Sequence, residues 1–197
     1  MARAEFFFDL GSPASYLAAT QMDALAARAG AEIVWRPMLL GAVFKATDNR
    51  SPATVTAKGV WMQEDLERFA KRYRAPFAQN PYFPINTLML MRAAAAFELK
   101  GRLRPFVDPM FRALWVDGKN MNDPATVATV LTQAGFDPQA TLAAANSQPA
   151  KDRLRATTDE AVARGAFGAP SIFVGDTLFF GQDRLDFVEE ALRASAV

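Results

Sequence analysis

The segment Phe6-Phe7-Phe8-Asp9-Leu10-Gly11-Ser12-Pro13-Ala14-Ser15-Tyr16 runs an apolar strand into a tight turn and starts a helix just beyond it. Thiol enzymes often place their reactive sulfur at such a turn, but this chain of 197 residues has no cysteine and offers Ser12 there instead. Histidine is absent as well. A Ser-His-Asp or Cys-His triad therefore cannot be assembled, and zinc sites built on nitrogen or sulfur are excluded. Acid-base work falls to Asp, Glu, Lys, Tyr, water or a cofactor. Any sulfur chemistry must use a thiol carried in by a ligand.

Ser12-Pro13 reads first as an N-cap followed by proline at the first helical position. The same geometry suits a second role. A hydroxyl, free backbone N–H groups and the positive end of the helix dipole favour an anion at that point. A free thiol has a pKa of about 8.5, and lowering it by about two units takes roughly 2.7 kcal/mol of selective thiolate stabilisation. One charge-assisted hydrogen bond plus a helix terminus supplies that order of magnitude.

Three further positions carry chemistry. Ala169-Pro170 follows Gly165-Ala166-Phe167-Gly168 and precedes a short strand, which suits a cis peptide that exposes the Ala169 backbone to an extended, peptide-like ligand. Asp183 is placed to cap a final helix, with Asp186 in its first turn, and can also receive a ligand ammonium. Asn49 in a polar loop and Lys58 beyond it are weaker candidates. Trp61, Trp115, Phe83 and Met89 are expected in the core.

The elements that must position these residues alternate in character. Residues Arg3 to Asp9 read as a buried strand, a helix follows to Gly30, and Ala31 to Arg36 forms a second strand ended by Pro37. Gly41 to Ala57 reads as a polar loop. Helical periodicity then dominates, over Trp61 to Tyr73, Thr87 to Leu99, Pro105 to Trp115, Pro124 to Ala134, Pro138 to Ala145 and Lys151 to Arg164. Sheet returns as Ser171 to Val174 and Thr177 to Phe180 around a Gly175-Asp176 turn, before a last helix. This order predicts an α/β fold, a thioredoxin-like domain (1–41 and 166–197) carrying an inserted all-helical domain (42–165).

Composition narrows the partners. A formal charge of +1 with scattered Lys and Arg gives no electrostatic case for nucleic acid. No stretch approaches the roughly 18 apolar residues of a membrane span. The N-terminal segment meets Asp9 and Pro13 too soon for a signal peptide, and a cysteine-free chain points to the cytoplasm.

These blocks together resemble the 2-hydroxychromene-2-carboxylate isomerases and the related kappa-class glutathione transferases. The similarity runs through Phe7 to Pro13, then Trp35-Arg36-Pro37-Met38-Leu39-Leu40-Gly41 with Phe44-Lys45 and Asn49. It continues through Phe83-Pro84-Ile85-Asn86-Thr87-Leu88, Phe167-Gly168-Ala169-Pro170 and Phe179-Phe180-Gly181-Gln182-Asp183-Arg184, in order from residue 5 to about 190. The resemblance implies a glutathione-binding homodimer in which Ser12 contacts the glutathione sulfur and Ala169, before Pro170, pairs with the peptide backbone. It further implies that Gln182 and Asp183 hold the γ-glutamyl end, while Asn49 and Lys58 meet the cysteinyl-glycine side. The implied activity is glutathione-dependent cis-trans isomerisation of an aromatic keto acid in aromatic-compound degradation, with Arg36, Lys45 or Arg92 meeting the substrate carboxylate. A kappa-type transferase and a non-catalytic binding module are the alternatives; a DsbA-like redox role lacks its two cysteines. Two positions depart from the pattern: Asp48 stands where the family often has Gly, and Gln182 where a small hydroxyl residue is frequent.

Overall fold

Three consecutive phenylalanines commit the first strand to burial on both faces. In the computed structural model, which describes residues 2–195 (the expected outer limits, 1 and 197, lie outside them), β1 spans Arg3–Phe8 and sits inside a four-stranded sheet of order β2-β1-β3-β4. It pairs in parallel with β2 (Glu32–Pro37) and antiparallel with β3 (Ser171–Val174), which turns at Gly175 into β4 (Thr177–Phe180). A parallel neighbour needs a crossover, and α1 (Pro13–Ala29) supplies it. Gly30, at φ +59°, stops that helix where an L side chain would be strained.

Alternation then decides which helix covers which face. Phe6 and Phe8 point to one side, their rings 5.6 Å apart and each edge-on to Trp35. Leu17, Met22 and Leu25 of α1 and Val188 and Leu192 of α9 (Leu185–Ala194) share their core cluster. Phe7 points to the other side, against Phe173, Val43 of α2 (Leu40–Thr47) and Ala161 of α8 (Gln148–Ala163). Truncating any of these buried rings to Ala would cost about 3–5 kcal/mol.

Between α2 and α8 lie a short 3-10 turn (Pro52–Thr54), α3 (Thr56–Tyr73), α4 (Leu88–Glu98), α5 (Leu103–Trp115), α6 (Pro124–Gln133) and α7 (Pro138–Asn146). Their core is continuous with the sheet's: Phe111 of α5 lies 5.8 Å from Phe8 and 5.9 Å from Tyr16, ring to ring. The thioredoxin-like frame with helices between its strand pairs is thus the architecture. Among the described residues no helix is long and apolar enough to cross a membrane.

One expected loop is replaced by a helix. Residues 40–47 are helix, not polar loop, because Leu40, Val43 and Phe44 recur at helical spacing and Val43 is fully buried. The Asp9 carboxylate accepts the Leu40 N–H at the helix start, and Asp48 ends it in the left-handed region at φ +53°. That conformation explains the departure at Asp48: the position favours Gly, and Asp is among the few side chains that tolerate it.

Candidate active site

Ser12 ends the turn after β1 and is 5% exposed. Its Oγ accepts the Ser15 N–H at 3.1 Å, as an N-cap should, and donates to the Ala169 carbonyl at 2.9 Å. The first turn of α1 then has one amide to spare. Pro13 has none, Ser15 is taken by the cap and Tyr16 donates to the Ser12 carbonyl. That leaves Ala14, which lines the adjoining cleft.

The turn is held from behind. Trp115 donates from Nε1 to the Leu10 carbonyl at 2.8 Å, and the Ser12 N–H closes onto the Asp9 carbonyl at 3.0 Å. Asp9 itself is buried and binds three elements at once. Its Oδ1 accepts from the Gly11 N–H at 2.8 Å and the Thr87 hydroxyl at 2.7 Å, and its Oδ2 from the Leu40 N–H at 2.8 Å. Burial pushes its carboxyl pKa up, opposed by those bonds from Leu40, Gly11 and Thr87.

Ala169-Pro170 is a cis peptide, as expected, and leads directly into β3. The Ser171 hydroxyl donates back to the Gly168 carbonyl at 2.8 Å, and Gly181 donates to the Pro170 carbonyl at 3.0 Å, so the loop is tied at both ends. With its carbonyl on Ser12, Ala169 keeps one lone pair and its N–H for a ligand. Two glycines permit the close packing here. A Cβ on Gly168 would lie 2.7 Å from the Phe180 ring, and one on Gly181, at φ +98°, 2.5 Å from Asp183 Oδ1.

A cleft of about 770 Å³ opens in front of this turn. Ser12, Asn49, Lys58, Ala169, Gln182 and Asp183 all line it; Pro170 sits just behind the wall. Asn49 donates from its side chain to the Phe167 carbonyl at 2.8 Å, fastening the loop after α2 to the loop before β3. Lys58, in the first turn of α3, is exposed and carries a cation over the opening. Gln182 is buried, and its carbonyl accepts the Tyr73 hydroxyl. Burial, with Asp186 and Asp183 nearby, pushes the Tyr73 pKa up to about 12, so it stays a donor.

Asp183 does not cap α9. Residues 182–184 form a 3-10 turn, Arg184 occupies the cap position, and the Asp183 carboxylate pairs with the Arg184 guanidinium. Both partners are exposed at a third or more, and such a pair is worth about 0–1 kcal/mol, so it is broken at little cost.

The three basic residues expected at a substrate carboxylate lie elsewhere. Arg36 is buried on the α8 face, paired to Glu5 at 2.6 Å and to Glu160. Lys45 is exposed on α2 outside the cleft, and Arg92 lines a different cavity. The cations on this cleft are Arg50 and Lys58, facing Asp48, Asp65 and Asp183. Arg50 went unnoticed in the sequence, although it sits beside Asn49 in the same polar run. Trp61 is 60% exposed and forms a wall with Phe44, Phe83, Phe167 and Phe180. Of the four expected core residues only Trp115 is fully buried.

Residues 3–193 match the family model of the DSBA-like thioredoxin domain, and fold and family model together define that class of protein. The chain is 33% identical over 192 residues to a 2-hydroxychromene-2-carboxylate isomerase of Sphingobium xenophagum, covering 95% of this chain and 96% of that one. It is 28% identical over 206 residues to glutathione S-transferase kappa 1 of Caenorhabditis elegans, covering 97% and 91%. A solved 2-hydroxychromene-2-carboxylate isomerase structure superposes with a TM-score of 0.86 at 28% identity, covering 98% of this chain and 96% of that one. The chain belongs to the 2-hydroxychromene-2-carboxylate isomerase family of DsbA-like thioredoxin proteins and is an enzyme of isomerase type.

Proposed function

We propose that the protein is a glutathione-dependent cis-trans isomerase of an aromatic keto acid, of the 2-hydroxychromene-2-carboxylate to trans-o-hydroxybenzylidenepyruvate kind, serving aromatic-compound degradation. The observation that carries this is the single cleft on which an α1 N-terminus without cysteine, a cis-proline edge and aromatic walls converge. Similarity to both named isomerases and named kappa transferases supports it.

The residues suit a thiol tripeptide. The Ala169 edge has an amide and a lone pair for a peptide backbone; Gln182 and Asp183 suit an α-amino end; Asn49 and Lys58 suit a carboxylate end. Glutathione, when bound, would supply the nucleophilic thiol that adds reversibly to an unsaturated carbon, so that a former double bond turns as a single bond. The chain's own part is to hold that sulfur as an anion. Ser12 does so by swinging its proton from the Ala169 carbonyl, with the Ala14 N–H and the α1 dipole behind it. Trp61, Phe83 and Phe180 offer flat apolar walls to an aromatic ring, and Arg50 or Lys58 meets the carboxylate. Reduced glutathione is abundant in the cytoplasm, which we infer as the compartment, and we infer a homodimer, testable by sedimentation.

The decisive experiment supplies 2-hydroxychromene-2-carboxylate with a catalytic trace of glutathione. Formation of trans product with glutathione recovered unchanged is expected. Stoichiometric consumption of glutathione into a conjugate would overturn the reading in favour of a kappa-type transferase.

A further inference from the structure

A second cavity, of about 570 Å³, lies between α4, α6 and α7, away from Ser12. Its volume falls in the range of small-molecule sites, about 300–1,000 Å³. Leu88, Met89, Val127, Leu131 and Leu142 supply its large apolar side chains, and among the described residues no aromatic ring lines it. The Ser12 cleft is the opposite, with five aromatic side chains. Aliphatic walls that include methionine conform to a flexible alkyl chain rather than a flat ring.

Among the described residues Arg92 is the one titratable side chain on that wall. It is half-buried and forms no hydrogen bond or ion pair with another described residue. The acids of α4 and of the α6 and α7 caps have other partners. Glu98, further along α4, takes Arg153 at 2.6 and 2.8 Å. Asp123 and Asp137 accept backbone N–H groups as the caps of α6 and α7. A half-buried guanidinium with five donors and no acceptor favours an anion that can accept two of them at once.

We infer that this cavity is a binding site for an aliphatic monocarboxylate, its chain between α4, α6 and α7 and its carboxylate on Arg92. The inference stands apart from the glutathione reading, since no residue is shared between the two sites.

The test uses decanoate, with decan-1-ol as the uncharged control, by calorimetry on the full chain. The wild type is expected to bind one equivalent of decanoate. Arg92→Met should weaken decanoate at least about tenfold while leaving decan-1-ol unchanged. Ala128→Trp, which fills the cavity from α6, should abolish both, with circular dichroism and Tm showing that each variant is folded. Equal decanoate affinity in the wild type and Arg92→Met overturns the assignment, as does binding retained by Ala128→Trp. Absence of binding to the wild type overturns it too, including the case in which sedimentation shows a second copy covering the cavity.

Discussion

The Ser12 hydroxyl donates to the Ala169 carbonyl at 2.9 Å, joining the turn before α1 to the cis-proline loop across 157 residues of sequence. The same oxygen accepts the Ser15 N–H. Serving a bound sulfur therefore requires the hydroxyl proton to leave one acceptor for another, with no change in the cap. Ser12→Ala removes both functions. The pKa of bound glutathione, followed by ultraviolet thiolate absorbance, should rise by about one to two units, and the rate at neutral pH should fall about 10- to 100-fold. Loss of the cap should also lower stability by about 1 kcal/mol. An unchanged thiol titration in a folded variant removes Ser12 from the mechanism.

Asp9, which holds that turn, makes stability dependent on pH. Its folded pKa is raised, first by burial, so the folded chain binds the proton more readily than the unfolded chain does. Stability from this group is therefore complete below the unfolded value of about 3.9 and is lost as pH rises through the folded value. Asp9→Asn cannot titrate. Urea unfolding at a series of pH values should show the wild type losing stability relative to Asp9→Asn as pH rises across that window. A constant difference, or one of opposite slope, contradicts the burial argument.

Much of this was legible in the chain itself. The apolar run at Phe6, Phe7 and Phe8, the Gly175-Asp176 hairpin and the Pro13 helix start are local signals, and the thioredoxin-like succession of elements followed from them, whereas the spatial strand order shows only in the structure. The cis peptide before Pro170 was readable from the glycines around it. What escaped depended on contacts distant in sequence. Residues 41–47 read together with the polar run that follows them although Leu40, Val43 and Phe44 recur at helical spacing, and the carboxylate that starts this helix sits 31 residues earlier, at Asp9. Trp61 looked like core by its type, yet α3 turns it to the cleft, and Arg36 looked free although Glu5 and Glu160 neutralise it. Charge type shows in a sequence; partners at long range do not.

Gly168 should be a specificity position. An added Cβ would meet Phe180 Cε2 at 2.7 Å and Cζ at 3.1 Å, while the Gly168 carbonyl is fixed by Ser171. The ring must therefore give way, and it packs on Phe167 with centroids 4.5 Å apart. Gly168→Ala should raise KM for the aromatic acid several-fold with little change in Tm. Gly175→Ala is the contrasting control: at φ +57° in open space it should cost about 1 kcal/mol of stability and leave KM alone. If the two variants show the same KM, Phe180 is no wall of the substrate site.

The cations divide by position rather than by type. Arg50 and Lys58 line the cleft, whereas Arg36 lies outside it, buried under α8, 5.0 Å over the Phe7 ring and paired to Glu5. Arg50→Met and Lys58→Met should each raise KM for substrate or for glutathione about tenfold, at roughly constant Tm, with the penalty shrinking as salt screens the wild-type attraction. Arg36→Met should do the reverse. It leaves Glu5 and Glu160 with Arg164 as the remaining shared partner and strips a cation from the Phe7 ring, so Tm falls while KM holds. Steady-state kinetics beside thermal unfolding for the three variants separates the two behaviours. A raised KM in Arg36→Met without loss of stability would return that residue to the substrate carboxylate and displace Arg50 and Lys58 from it.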